Sequence, residues 1–125
     1  MSKQYSVDLN LTTEELTPQS GLLETKEEGN VRKRTGPEVF QMITDAAING
    51  ANPNVSHDQL KKFRRISNDI DKAIESGFYK GNKTDIGIIK DSISKHKGWP
   101  NTDEMLAVLD DILERLSNAT EINEA

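Results

Sequence analysis

Hydrophobic residues recur at three- and four-residue steps along four segments of the chain, a spacing that places them on one face of a helix. The longest of these segments runs from Ser56 to Gly77 and carries its own start and stop signals. Ser56 and Gln59 are predicted to form a capping box, in which each side chain bonds the backbone amide of the other residue. Gly77 is predicted to end the helix in the left-handed conformation.

The same pattern predicts three further helices. The first begins at Gly36-Pro37, since proline suits the first turn of a helix, and it ends near Gly50. Thr84-Asp85 is predicted to cap the third helix, and Asn101 or Thr102 to start the fourth. The fourth has the most hydrophobic face, made of Met105, Leu106, Val108, Leu109, Ile112, Leu113 and Leu116. This face is wider than one partner helix needs, so it either lies at the centre of a bundle or leaves a part for another subunit.

Residues 1–36 lack helical periodicity. Within them Tyr5, Val7, Leu9 and Leu11 alternate with polar residues, which is typical of a half-buried strand. A single strand has no partner inside an all-helical chain, so these four side chains are predicted to bind a sheet edge or a surface on another molecule. The alternative is that the alternation is chance and the segment is a disordered tail.

The predicted fold is therefore all-α. It consists of a small four-helix domain at residues 37–117, preceded by an extended or disordered N-terminal arm or linker at residues 1–36 and followed by a tail at residues 118–125. The length of 125 residues suits one such domain with tails. The short connections favour antiparallel neighbouring helices.

Charge is distributed unevenly along the chain, whose net charge is −5. Residues 38–100 carry ten Lys or Arg against eight Asp or Glu, whereas residues 101–125 carry one against seven. A mildly basic middle and a strongly acidic end allow head-to-tail association into a homo-oligomer. The chain contains no cysteine, which excludes disulfides and thiol catalysis, and no apolar run long enough for a membrane span. We therefore expect an intracellular protein with no membrane partner.

Residue types that perform catalysis are sparse. The two histidines, His57 and His96, stand far apart, and neither has the spacing that places two metal ligands on one helical face. The acidic pairs at 69/71 and 110/111 point in different directions on a helix and indicate solvated faces. We therefore expect no enzymatic activity, no catalytic residues, no metal and no cofactor.

Two basic clusters are candidates for phosphate binding. They are Arg32, Lys33 and Arg34 before the first helix, and Lys61, Lys62, Arg64 and Arg65 in the second. The second cluster could neutralise several phosphates, and Tyr79 is the predicted exposed aromatic residue nearby for base stacking. Because the net charge is negative, nucleic-acid binding by a small regulator is the alternative hypothesis rather than the leading one.

The order of four segments, VRKRTGPEVFQMI, SHDQLKKFRRI, KTDIGIIKDSI and EMLAVLDDIL, resembles a recurrent type of small helical protein encoded by tailed bacteriophages and prophages. Residues 84–90 carry most of the resemblance, which covers residues 31–117. The N-terminal arm is longer and more acidic here than in that pattern. The resemblance implies a virion or assembly component, or a small phage protein acting on a host machine, located in the host cytoplasm or in the virion.

The leading hypothesis is a non-enzymatic protein–protein interaction or assembly protein. In it the N-terminal segment and part of the last helical face bind partner proteins, which would be phage structural proteins or host proteins. A third hypothesis is an inhibitor of a host enzyme or defence system, in which the acidic C-terminal region imitates nucleic acid.

Overall fold

The structure is a computed structural model that describes residues 3–11, 24–27, 30–33 and 35–122. Its helices are α1 (Gly36–Ala51), α2 (His57–Ser76), α3 (Lys83–Lys95) and α4 (Asp103–Ser117). Its strands are β1 (Gln4–Asp8), β2 (Glu24–Glu27), β3 (Asn30–Lys33), β4 (Phe78–Asn82) and β5 (Thr120–Ile122). An antiparallel sheet has the order β4-β1-β5, and β2 and β3 form a separate hairpin. The fold is therefore mixed α and β, with helices predominating.

The prediction of an all-α fold is wrong because the N-terminal strand finds its partners inside the chain. Val7 lies opposite Tyr79 on β4, and Ser6 lies opposite both Lys80 on β4 and Thr120 on β5. The sequence of β4 does not indicate a strand, because it contains Gly81 and Asn82, and Gly and Asn are depleted in strands. Gly81 fits this position because it has no side chain. The Tyr79 hydroxyl occupies the space beside it, and a Cβ at Gly81 would lie 2.6 Å from that oxygen.

The start and end of α2 agree with the local signals in the sequence. Ser56 and Gln59 form the predicted capping box, and Gly77 ends the helix with a φ of 81°. The start of α3 differs from its prediction, because Asn82 caps this helix by accepting a hydrogen bond of 2.7 Å from the amide of Asp85. Asn82 therefore ends β4 and begins α3 without an intervening loop.

The core lies between the helices and the inner face of the sheet. Its largest fully buried side chains include Leu9, Phe40, Ile43, Ile66, Ile70, Tyr79, Ile89 and Ile112. α1 packs against α2 and α3, whereas α4 packs on α3 and β1. α4 is therefore a peripheral helix and not the centre of a four-helix bundle.

The segment that follows β1 is held by several elements. The Leu9 amide donates a hydrogen bond of 3.0 Å to the Gly77 carbonyl at the end of α2. The Arg115 guanidinium of α4 donates one of 3.1 Å to the Asp8 carbonyl. Gly36, at the start of α1, is so close to this segment that a Cβ would lie 1.9 Å from the Leu9 carbonyl oxygen. β1 and the residues after it are therefore packed into the domain from three sides.

Candidate interaction surfaces

The N-terminal side chains predicted to bind a partner lie in the core of the chain itself. Val7, Leu9 and Leu11 are 1%, 1% and 6% exposed, and Tyr5 is partly buried against the same core. β1 pairs with β4 on one side and with β5 on the other, so both of its backbone edges are in use. Another molecule could reach this segment only if the sheet opened.

The solvent face of α2 carries a row of basic side chains, here called the basic ridge. It consists of Lys61, Arg64, Arg65 and Lys72, which line one shallow depression together with His57, Leu60, Asn68 and Asp69. Steps of three, four and seven residues keep the four cations on one side of the helix. The structure thus brings together three of the four α2 residues that were candidates for phosphate binding, namely Lys61, Arg64 and Arg65. Lys62 is exposed but does not line the depression.

Arg65 is also part of a buried ion pair that joins α2 to α3. Its Nε and Nη2 atoms donate to the two carboxylate oxygens of Asp85 at 3.0 and 2.5 Å. The Asp85 side chain is almost completely buried, whereas that of Arg65 is about half exposed. The hydrogen bond to Asp85 raises the pKa of Arg65, so the guanidinium stays charged. This geometry is that of a bidentate structural clamp.

Two residues of the other predicted basic cluster belong to β3, and the predicted stacking residue lies in the core. Arg32 and Lys33 lie in β3, in register with Thr25 and Glu24 of β2, and Arg34 is outside the described residues. The prediction that Tyr79 is exposed is wrong, because alternation along β4 turns its ring inward against the Phe40 ring at a centroid distance of 5.7 Å.

α4 leaves part of its apolar face uncovered. Leu106 is 59% exposed, and Leu109 and Leu113 are partly buried. Their spacing of three and four residues places them in one row, here called the α4 stripe. The exposed acids of the same helix are Asp103, Asp110 and Glu114. By helical geometry, Asp110 and Glu114 lie beside the stripe on its solvent side, so the stripe has an acidic border.

A cleft of about 360 Å³ lies between the second half of α1 and the first half of α2, next to the loop at residues 52–56. Its apolar lining residues are Ile48, Val55, Leu60 and Phe63, and Pro53 is at its edge. Its polar lining residues are Asp45, Asn49, Asn52, Arg64 and Ser67. The cleft therefore combines an apolar surface with one acid, one base and several neutral hydrogen-bonding groups.

Asp45 is the anionic group of this cleft. Its carboxylate accepts a hydrogen bond of 3.4 Å from the Ser67 hydroxyl. Burial raises the pKa of Asp45, and the negative charge of Asp71 raises it further, whereas the Ser67 hydrogen bond and the charge of Arg64 oppose these effects only in part. None of the ion pairs found among the described residues includes this carboxylate. Asp45 is thus a partly desolvated anion whose carboxylate oxygens can accept further hydrogen bonds.

The two histidines lie at opposite ends of different helices. His57 begins α2, and His96 follows α3, where its ring packs edge-on against Trp99 at 4.5 Å. Within residues 3–11, 24–27, 30–33 and 35–122, no group of three or more His, Asp or Glu residues is arranged to hold a metal ion. In the same part of the chain, no helix has the length and apolar character needed to cross a membrane.

Sequence reasoning missed the two carboxylates that matter most for these surfaces. Asp85 was assigned to a helix cap, and nothing in the local sequence indicates a partner twenty residues away on α2. Asp45 lies beside the apolar positions of α1 without any distinguishing pattern. Comparison of the chain with protein-family models, curated proteins and solved structures gave no match.

Proposed function

We propose that this chain is a non-enzymatic protein–protein interaction protein that binds its partner through the α4 stripe. The observation that carries the proposal is the 59% exposure of Leu106 in line with the partly buried Leu109 and Leu113. Single exposed leucines are common on protein surfaces. A leucine that extends a continuous apolar row is different, because covering it removes connected apolar area from water at about 25 cal/mol per Å².

The acidic border of the stripe restricts the kind of partner that fits. Two α4 stripes facing each other would bring Asp110 and Glu114 of both copies together, and such like-charge contacts oppose association. A partner with lysine or arginine beside an apolar centre is favoured instead. The basic ridge of a second copy, next to Leu60 at 44% exposure, has this composition. Head-to-tail association, which the charge distribution allows, falls within this proposal, and so does a role in phage assembly, which the resemblance implies.

A substitution within the stripe tests the proposal. Leu106→Asp introduces a charge into the stripe, and Ala107→Asp introduces the same charge at the next exposed position of α4, outside it. Both variants are expected to fold, since both positions are exposed. Sedimentation velocity over a range of concentrations would measure self-association. Affinity capture from an extract of the producing cells, quantified by mass spectrometry, would measure binding of other proteins.

We expect association to be lost in Leu106→Asp and retained in Ala107→Asp. Equal behaviour of the two variants, in both sedimentation and capture, would reject the α4 stripe as the binding surface. The paired design separates a specific effect of the stripe from a general effect of added negative charge.

A second candidate function is nucleic-acid binding along the basic ridge. It is favoured by the alignment of Lys61, Arg64 and Lys72 on one solvent-facing side of α2. Binding through three phosphate contacts predicts a slope of about −3 in a plot of log affinity against log salt concentration for duplex DNA. The Lys61→Glu/Arg64→Glu double variant should abolish a gel shift that Lys97→Glu, at the end of α3, leaves intact. A shift that survives the double variant with an unchanged salt slope would exclude the ridge.

A further inference from the structure

The cleft between α1 and α2 shares only Leu60 and Arg64 with the surfaces used in the proposed function. We propose that it binds a primary ammonium group carried on an apolar body, and that the Asp45 carboxylate receives the ammonium. The proposal is independent of the α4 stripe, because none of the stripe residues lines this cleft.

The position of Asp45 is the first reason. A carboxylate has two oxygens and about four acceptor sites, and the Ser67 hydroxyl occupies one of them. The carboxylate has given up part of its hydration, because it lies in the wall of the cleft, and it takes part in none of the ion pairs among the described residues. A ligand ammonium would supply both the missing donors and the missing positive charge.

The end of α1 is the second reason. Asn49 in the last turn of this helix and Asn52 at its C-cap both line the cleft. The last turn carries no basic residue, so no side chain of that turn offsets the negative end of the helix dipole. This partial charge adds to that of Asp45, and both favour a cation in the cleft.

The apolar lining determines the rest of the ligand. Ile48, Val55 and Phe63 form an apolar surface, which an ammonium group alone would leave uncovered. A volume of about 360 Å³ lies within the range of small-molecule sites in proteins. Leu60 at the border is 44% exposed, and an apolar ligand body would cover part of it. An arylalkyl amine, or the butyl chain and ammonium of a lysine side chain, matches this combination.

The loop that forms the end wall is fixed at both ends without a ligand. The Asn52 side-chain amide donates to the Ile48 carbonyl at 3.1 Å and to the Ser92 hydroxyl at 3.3 Å. At the other end, the Ser56–Gln59 capping box fixes the start of α2. A ligand therefore binds to a wall that is already ordered, which reduces the entropy lost on binding.

Replacement of Arg64 tests whether the ligand is bound by its positive charge. Its exposed side chain lines the outer part of the cleft, so its positive charge opposes an ammonium. Arg64→Gln is therefore expected to tighten binding of a simple amine by about twofold, the size typical of a solvent-screened charge. A ligand that carries a carboxylate next to its amine would instead bind more weakly to this variant.

The experiment is a ¹H–¹⁵N NMR titration of the full chain with phenethylamine and with 2-phenylethanol, which has the same body and a hydroxyl in place of the ammonium. Phenethylamine is expected to give saturable shifts at the amides of Asn49 and Ser67, and 2-phenylethanol to bind at least tenfold more weakly. Asp45→Asn should weaken phenethylamine binding at least tenfold, since a hydrogen bond to a charged group contributes about 1.5–3 kcal/mol. This variant keeps the side-chain shape and removes a charge that burial disfavours.

Glu75→Gln is the matched control. It removes a negative charge from an exposed residue of α2 outside the cleft lining, and it should change binding less than twofold. Equal binding of the amine and the alcohol, or equal binding to wild type and Asp45→Asn, would overturn the proposal. Nα-acetyl-lysine amide is a third probe. Tighter binding of it than of phenethylamine would identify a partner's lysine as the source of the ammonium, and weaker binding would identify a small amine.

Discussion

Replacement of Leu9 by Ala is expected to destabilise the whole domain. Leu9 is 1% exposed and belongs to the same core as Phe40 and Ile70, although it lies in the segment predicted to be a flexible arm. The substitution removes three carbon atoms, which at about 0.8 kcal/mol each amounts to about 2.4 kcal/mol of lost transfer free energy. The cavity that remains adds to this cost, so we expect a loss of about 3–4 kcal/mol.

The size of this loss can be compared with the total stability. A chain of 125 residues has an expected free energy of unfolding of about 6–19 kcal/mol. The variant would therefore lose between about a sixth and about two thirds of it, and its melting temperature would fall by about 10–15 °C. An N-terminal arm that does not pack on the domain would show neither effect.

Urea unfolding followed by far-UV circular dichroism would measure the change for Leu9→Ala against Asn10→Ala. Asn10 is the exposed neighbour, and its hydrogen bond to the Asp8 side chain comes from the backbone amide and survives the substitution. The control should lie within about 0.5 kcal/mol of wild type. If the two variants unfold at the same urea concentration, Leu9 is not part of the core.

Four further substitutions concern buried polar groups and the space around two glycines. Tyr79→Phe should raise the free energy of unfolding by about 1 kcal/mol in urea titrations, because the Tyr79 hydroxyl is buried without a hydrogen-bond partner among the described residues; a loss of stability would show that this hydroxyl is bonded. Gly36→Ala should lower it by about 1–3 kcal/mol, since the new Cβ meets the backbone oxygen of Leu9. Gly87→Ala, where no atom lies within 4 Å of the new Cβ, should instead stabilise α3 by up to about 1 kcal/mol. Asp45→Asn should be slightly more stable than wild type at pH 7. This difference should vanish as the pH falls towards 3.8, because burial raises the pKa of the folded carboxyl above that value; a difference that persists in acid would contradict this cause.

The helices could be predicted because their signals are local. Ser56, Gln59 and Gly77 fix the ends of α2 through bonds to residues three or four positions away, and these bonds form in the same way wherever the helix packs. The apolar spacing along the same helix gives its buried side for the same reason. No knowledge of the rest of the fold is needed for either feature.

The sheet could be predicted only in part, because strand pairing is not local. The alternation from Tyr5 to Leu11 predicts a strand, and β1 confirms it for residues 5–8 but not for residues 9–11. Its partner β4 is only five residues long and contains Lys80, Gly81 and Asn82, which favour a turn in isolation. The pairing becomes favourable only when Val7 and Tyr79 meet in the core, seventy-two positions apart in the chain.

The positions of the two elements predicted to bind partners, the N-terminal segment and α4, depend on each other. Because β1 lies within the domain and brings Val7, Leu9 and Leu11 into the core, α4 packs on α3 and β1 at the periphery. A helix at the periphery can bury only part of an apolar face as wide as that of α4, and Leu106 is left in solvent. We therefore propose that the N-terminal segment contributes to partner binding only indirectly: by completing the core of its own chain, it leaves the α4 stripe uncovered.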